Sequence, residues 1–239
     1  MTPGEQHQWH YFRNDEVIAA LRSLFKHCKT VAFDDWSGMV AGSDLLDGLL
    51  SDVIKPLGKT NIEFIFYLGD PTQRLSFQVD EVLDIISDFS LHGKVTFALD
   101  ENEALKLWSV LNGIHADALS ADQNFVDLRK KYFSLFRTMS IPRLLVYSAN
   151  TVLLFSEAEQ FVLSRKMVDH STEIAPDARQ NFIAGFSGGL LLHLDIAHCI
   201  ALGLVVFGCC GEPKTTSLEE YINNWVSDLE RPETMHLYQ

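Results

Sequence analysis

Apolar residues recur at helical spacing over Val17, Ile18, Leu21, Leu24, Phe25 and Cys28, behind an Asn14 that suits an N-cap. The spacing predicts a helix there. TVAFDDW then reads as a short strand running into Asp34 and Asp35. Ser43 suits the cap of a second helix with the stripe Leu45, Leu46, Leu49, Leu50, Val53 and Ile54, ended by Pro56 and Gly58. NIEFIFYL is almost wholly apolar, as a strand covered on both faces should be. After the turn GDPTQ, RLSFQV alternates with Leu75, Phe77 and Val79 on one side, which predicts an edge strand. A helix through Val82, Ile85, Ile86 and Phe89 follows, then the strand KVTFAL and a helix from Glu101 to Asn112.

IHADALSADQ is the internal break. Beyond it, Phe125, Leu128, Tyr132, Leu135 and Phe136 predict a helix, and RLLVYSANTVLLF a hairpin turning at Ala149-Asn150. Residues 156–167 read as a helix, residues 176–202 as a packed interior helix, LGLVVFG as a strand, and residues 218–229 as a last helix. The pattern predicts an α/β (or α+β) protein with a mixed sheet flanked by helices. Its halves, 1–113 and 124–239, are expected to pack as one globular unit. The succession strand, strand, helix, strand, helix fits residues 62–112 and, with an added helix, 144–229, which admits two similarly built halves.

Composition narrows the classes. Of 239 residues, 47% are hydrophobic, ample for a core, and the formal net charge is −13. That charge repels phosphate backbones and anionic lipid, so no nucleic acid and no membrane are expected as partners, whereas a cationic protein partner is attracted. The N-terminal stretch lacks a basic region followed by an apolar one, so it does not read as a signal peptide. Cys28, Cys199, Cys209 and Cys210 form no C-x-x-C pair, and reduced thiols in a cytoplasmic protein are the expectation. The apolar run from Phe182 to Cys210 could mimic a membrane span, but Asp195, His193 and His198 interrupt it.

Several patterns carry chemistry. Gly185-Phe186-Ser187-Gly188-Gly189 fits G-x-S-x-G and resembles the nucleophile elbow of α/β-hydrolases, which implies Ser187 as nucleophile. The chain departs from that family on both sides. APDARQNFIAG suits a helix start rather than a strand, and too few residues follow Ser187 for the remaining strands and triad partners. As a helix, the stretch puts Gly185 and Gly189 on one face for close packing, and Ser187 can bond back to the carbonyl of Ile183. His193, Asp195 and His198 include metal-ligand types, but the histidines are five apart and diverge on a helix; Asp195 and His198 are expected as a buried pair. GCCGEPKTTS departs from a P-loop because Pro213 precedes Lys214.

Asp35, Asp70 and Asp100 each end a predicted strand. If the strands are parallel, their carboxylates share an edge and could hold Mg²⁺. VAFDDWSGMV faintly resembles the first motif of haloacid-dehalogenase phosphatases, but Trp36 stands where a second aspartate is required. The alternative role is capping, since Asp100-x-x-Glu103 is a capping-box analogue and Asp70-Pro71 a turn signature. Arg129, Lys130, Lys131, Arg137 and Arg143 form a local basic patch.

With every catalytic pattern lacking a neighbour it needs, the sequence alone favours a non-catalytic binding or protein-interaction module that prefers cationic partners. The enzyme alternatives are a serine hydrolase using Ser187, with a base such as His170, and a divalent-metal-dependent phosphoryl-transfer enzyme using the strand-end aspartates. No resident cofactor is expected apart from Mg²⁺ in that last case.

Overall fold

The computed structural model describes residues 8–114, 125–148, 150–165, 178–209, 219, 220, 223, 226, 227 and 229–235. The fold is α/β, with a mixed sheet flanked by helices. The chain divides into two compact units, residues 1–144 and 145–239. The break read at IHADALSADQ lies, from residue 115 on, outside the described residues.

The first unit opens with a short turn of helix, α1 (Trp9–Phe12), and α2 (Asp15–His27), whose N-cap Asn14 accepts from Val17 N at 2.9 Å. Lys59 Nζ sits on the carbonyl end of α2, 3.4 Å from Phe25 O and 3.2 Å from Lys26 O, where a cation complements the helix dipole. β1 (Thr30–Phe33) leads through a 3-10 turn at Trp36–Gly38 into α3 (Gly42–Leu49), a π turn at Leu50–Ile54 and α4 (Lys55–Leu57). Ser43 does not cap this helix, because its Oγ accepts from Trp36 Nε1 at 3.2 Å.

β2 (Ile62–Phe66), α5 (Ser76–Phe89), β3 (Gly93–Asp100), α6 (Glu101–Leu111) and α7 (Phe125–Met139) follow. β1, β2 and β3 are parallel neighbours in register, Phe33 opposite Phe66 and Phe66 opposite Phe97. Phe89 of α5 closes the core over them, its ring edge-on to Phe64 and Phe66, both at 5.1 Å. Burying such a ring contributes about 1.5–3 kcal/mol.

RLSFQV is helix from Ser76 onward, not an edge strand. Leu75 and Phe77 are 62% and 63% exposed, whereas Val79, Val82, Leu83, Ile86 and Phe89 are buried at helical spacing. Gln78 Oε1 accepts from Leu75 N at 3.1 Å and secures the helix start.

β4 (Arg143–Tyr147) leads into the second unit, which holds β5 (Thr151–Ser156), β6 (Gln160–Ser164), α8 (Ala178–Leu191), α9 (Ile196–Cys209) and β7 (Glu233–Thr234). β5 and β6 are antiparallel, and β7 pairs antiparallel with β6. In place of the helix expected over 156–167, the described residues up to 165 form a tight turn, with Ser156 Oγ accepting from Glu159 N at 3.0 Å, and then strand β6. The element orders of the two units differ, so the repeated strand-strand-helix-strand-helix plan does not hold. Residues 218–229 are helical at the positions described within them up to Ser227.

The stretch read as one interior helix is two, and the strand expected at LGLVVFG is the second half of α9. They join through residues 192–195, where His193 takes a left-handed φ of 57°. Their contact is made by glycines. A Cβ on Gly185 would lie 2.6 Å from Leu202 O, and one on Gly189 2.8 Å from Cys199 Cα. Gly203 lies under Phe182, whose ring stacks on Tyr147 at 4.6 Å. Gly188, by contrast, faces open space.

Gly185→Ala is expected to lower the melting temperature, because the clash is with backbone that cannot yield. Gly188→Ala should raise stability by up to about 1 kcal/mol, the helix-propensity gain of alanine over glycine. Thermal unfolding of the two variants side by side checks both signs.

Candidate functional site

Ligands in open α/β sheets bind beyond the carboxyl ends of parallel strands. The register of β1–β3 puts Asp35, Asp70 and Asp100 at that end of the sheet, Asp35 and Asp70 in the turns after β1 and β2 and Asp100 as the last residue of β3. The sequence identified the three residues; whether they share an edge depended on strand direction, which the pairing settles.

Each carboxylate has local work. Asp35, in left-handed backbone at φ 54°, accepts from Gly38 N and Ser37 Oγ, both at 3.2 Å, and caps the 3-10 turn. Gly69 (φ 74°) is close by, and a Cβ there would lie 2.5 Å from Asp35 Oδ1. Asp70 accepts from Thr72 N at 3.0 Å and Thr72 Oγ1 at 2.7 Å. Its other oxygen meets Lys106 Nζ of α6 at 2.5 Å. Asp100 accepts from Glu103 N at 2.8 Å while Glu103 Oε2 accepts from Asp100 N at 3.1 Å, a capping box that starts α6. Among the described residues, no three His, Cys, Asp or Glu side chains are grouped to hold a metal ion. A resident divalent ion does not fit carboxylates committed in this way.

Burial pushes the Asp70 carboxyl up, but the bonds from Lys106 and Thr72 outweigh it and hold the group below its ordinary range. Burial, and then the charge of Asp100, push Glu101 up. Tyr132 of α7 is fully buried; burial first, then Glu101 and Asp100, raise its hydroxyl above the ordinary tyrosine value, so it stays protonated.

Lys106 was not singled out from the sequence. Nothing in EALKLW separates it from a solvated lysine, and only the turn at Asp70 brings the two together. Arg74 was also missed. Its Nε donates to Ser37 O at 3.0 Å, its Nη2 to Met39 O, and its guanidinium lies 5.5 Å from the centre of the Trp36 ring.

Ser187 lies in the middle of α8, with helix on both sides. Its Oγ is buried and makes no hydrogen bond, so the expected bond to Ile183 O is absent. A strand-to-helix elbow is not present at this serine. His170, proposed as its base, lies outside the described residues, as do residues 210–217 of the P-loop-like stretch. Asp195 and His198 do pair, Oδ2 to Nδ1 at 2.6 Å, and Asp195 caps α9 through His198 N at 3.0 Å. The pair is exposed, 64% and 72%, rather than buried. The basic patch disperses into separate contacts: Lys131 lies over the Trp108 ring, Arg129 over Phe125, Lys130 beside Asp127, and Arg143 pairs with Glu63. No described helix is long and apolar enough to cross a membrane.

Asp70→Asn is expected to lower the melting temperature at neutral pH. The depressed carboxyl contributes stability above its unfolded value of 3.8, and that contribution is lost as pH falls through its lower folded value. The difference from wild type should therefore close as the pH is lowered from 3.8 through that folded value in a pH series of thermal melts. Ser187, being buried, should resist a fluorophosphonate probe, with wild type and Ser187→Ala equally unlabelled on a gel.

No protein-family model matches the chain, and no curated protein resembles it in sequence. Solved structures do. The chain is similar to a carbohydrate kinase from Agrobacterium tumefaciens at 12% identity and a TM-score of 0.59, covering 96% of this chain and 63% of that one. It is similar to the adenosine kinase from Sinorhizobium meliloti at 14% identity and a TM-score of 0.60, covering 86% and 56%. It is similar to Arabidopsis thaliana ribokinase, solved with ribose and ATP, at 14% identity and a TM-score of 0.57, covering 89% and 59%. The chain thus spans less than two thirds of each. These neighbours are kinases, and that overturns the reading of the chain as a non-catalytic binding or protein-interaction module.

Proposed function

We propose that this chain belongs to a phosphoryl-transfer enzyme that moves the terminal phosphoryl group of a nucleoside triphosphate to a hydroxyl of a small molecule. The observation that carries the reading is the fold itself, shared over 86% or more of this chain with kinases of carbohydrate, adenosine and ribose. The carboxyl edge of β1–β3 is where such a fold seats its ligands. In the step, an acceptor oxygen forms a bond to the terminal phosphorus. The bridging P–O bond breaks, the nucleoside diphosphate leaves with that electron pair, and the acceptor gives up its proton. A divalent ion would arrive on the phosphates of the donor, as Mg²⁺ commonly does, rather than reside on the three aspartates.

Within this chain, Lys106 is the cation we assign to the developing phosphoryl charge. Asp70 holds its ammonium at the strand edge, 37% exposed, and so directs it without removing it from reach. We place the protein in the cytoplasm, where such donors are abundant; the Cys28 thiol, which is in no disulfide, supports this.

The test measures nucleoside diphosphate release from ATP with magnesium and a panel of ribose, other monosaccharides and adenosine. Release above the acceptor-free blank is expected for at least one acceptor. Lys106→Met should lower kcat by about 10²–10³ while leaving the circular dichroism unchanged. Absence of turnover with every acceptor would sink the reading. Turnover unaffected by Lys106→Met would remove the role of that lysine.

A further inference from the structure

A groove of about 710 Å³ lies between α3 and α5 in the first unit. It is separate from the Lys106–Asp70 pair, and the phosphoryl-transfer reading makes no use of it. Trp36 and Met39 line it from the 3-10 turn, and Arg74 from the loop before α5. Asp47 stands on one wall, and on the other Asp80 and Glu81, with Asp84 one helical turn further along α5. All four are exposed and make no ion pair in the described structure. Arg74 brings one positive charge to the groove but no ion pair to these carboxylates; its guanidinium donates to Ser37 O and Met39 O and lies against the Trp36 ring. Two apolar side chains flank these charges, Phe77 at 63% and Val40 at 64% exposure.

These features select among occupants. A metal ion needs converging ligands, and no such grouping exists among the described residues. Carboxylates spread over two helices match several cations spaced along one chain instead. The uncovered Phe77 and Val40 add an apolar component that a simple polyamine would leave wet. We propose that this groove docks a basic amphipathic segment of a partner protein, with lysine or arginine against Asp47, Asp80, Glu81 and Asp84 and an apolar anchor against Phe77 and Val40. The recognition is electrostatic in steering and apolar in anchoring, so it weakens with salt without vanishing.

The probe is a fluorescein-labelled 15-residue lysine–leucine peptide with leucine at helical spacing, followed by anisotropy at 50 mM and 300 mM salt without nucleotide. An oligolysine of equal charge and spermine compete in parallel. The triple variant Asp80→Asn, Glu81→Gln, Asp84→Asn should weaken the peptide tenfold or more, and Phe77→Ala several-fold. Asp15→Asn with Glu16→Gln on α2 changes the net charge away from the groove and should leave affinity unchanged. Circular dichroism confirms that each variant is folded. Three results overturn the proposal: no binding at 50 mM salt, an equal loss from the α2 variant, or oligolysine or spermine matching the amphipathic peptide with Phe77→Ala silent. No nucleotide enters this experiment, so its outcome is independent of the kinase assay.

Discussion

The parallel register of β1, β2 and β3 is the constraint on which the first unit depends. Phe33, Phe66 and Phe97 stand opposite one another across the strands, and Phe89 packs against two of the β2 rings from α5. β3 is buried from Val95 to Leu99, so a shift of one residue would exchange its two faces but expose neither to water. What such a shift would break is the alignment of the strand ends. Each end must turn into helix within a few residues, and each does so by spending an aspartate on exposed amides. The residue type that ligand chemistry would want at this edge is the one that the turns require. This is why Asp35, Asp70 and Asp100 sit together in topology without forming a metal cage.

The placement of cations follows from the excess of acid. Arg143 is committed to Glu63, Lys106 to Asp70, Lys59 to the carbonyl end of α2, and Arg74 to two loop carbonyls. Each holds together elements distant in sequence. Asp80, Glu81 and Asp84 on α5 form no ion pair among the described residues, in a chain with formal net charge −13. Part of that charge lines the groove between α3 and α5.

The second unit depends on a different interaction. α8 and α9 approach at Gly185, Gly189 and Gly203 closely enough that a methyl group would meet backbone or ring atoms. Each glycine weakens its helix by about 1 kcal/mol relative to alanine, and close packing offsets the loss. Gly185 and Gly189 also create the G-x-S-x-G spelling around Ser187. Their role here is interhelical contact, and the serine is buried with them.

The sequence by itself determined the strands TVAF, IEFIF and KVTFAL, the caps Asn14 and Asp100, and the mixed α/β class, because these rest on local periodicity and on side chains bonding to their own backbone. It also named the aspartates of the candidate edge. Tertiary structure alone decided RLSFQV, residues 156–167 and LGLVVFG, where short apolar runs satisfy strand and helix spacing alike. Phe77 and Val79 differ only in what packs against them, and Gly203 is helical because α8 lies against it. The pairing of Lys106 with Asp70 was illegible for the same reason: thirty-six positions separate them, and only the folded chain brings them together.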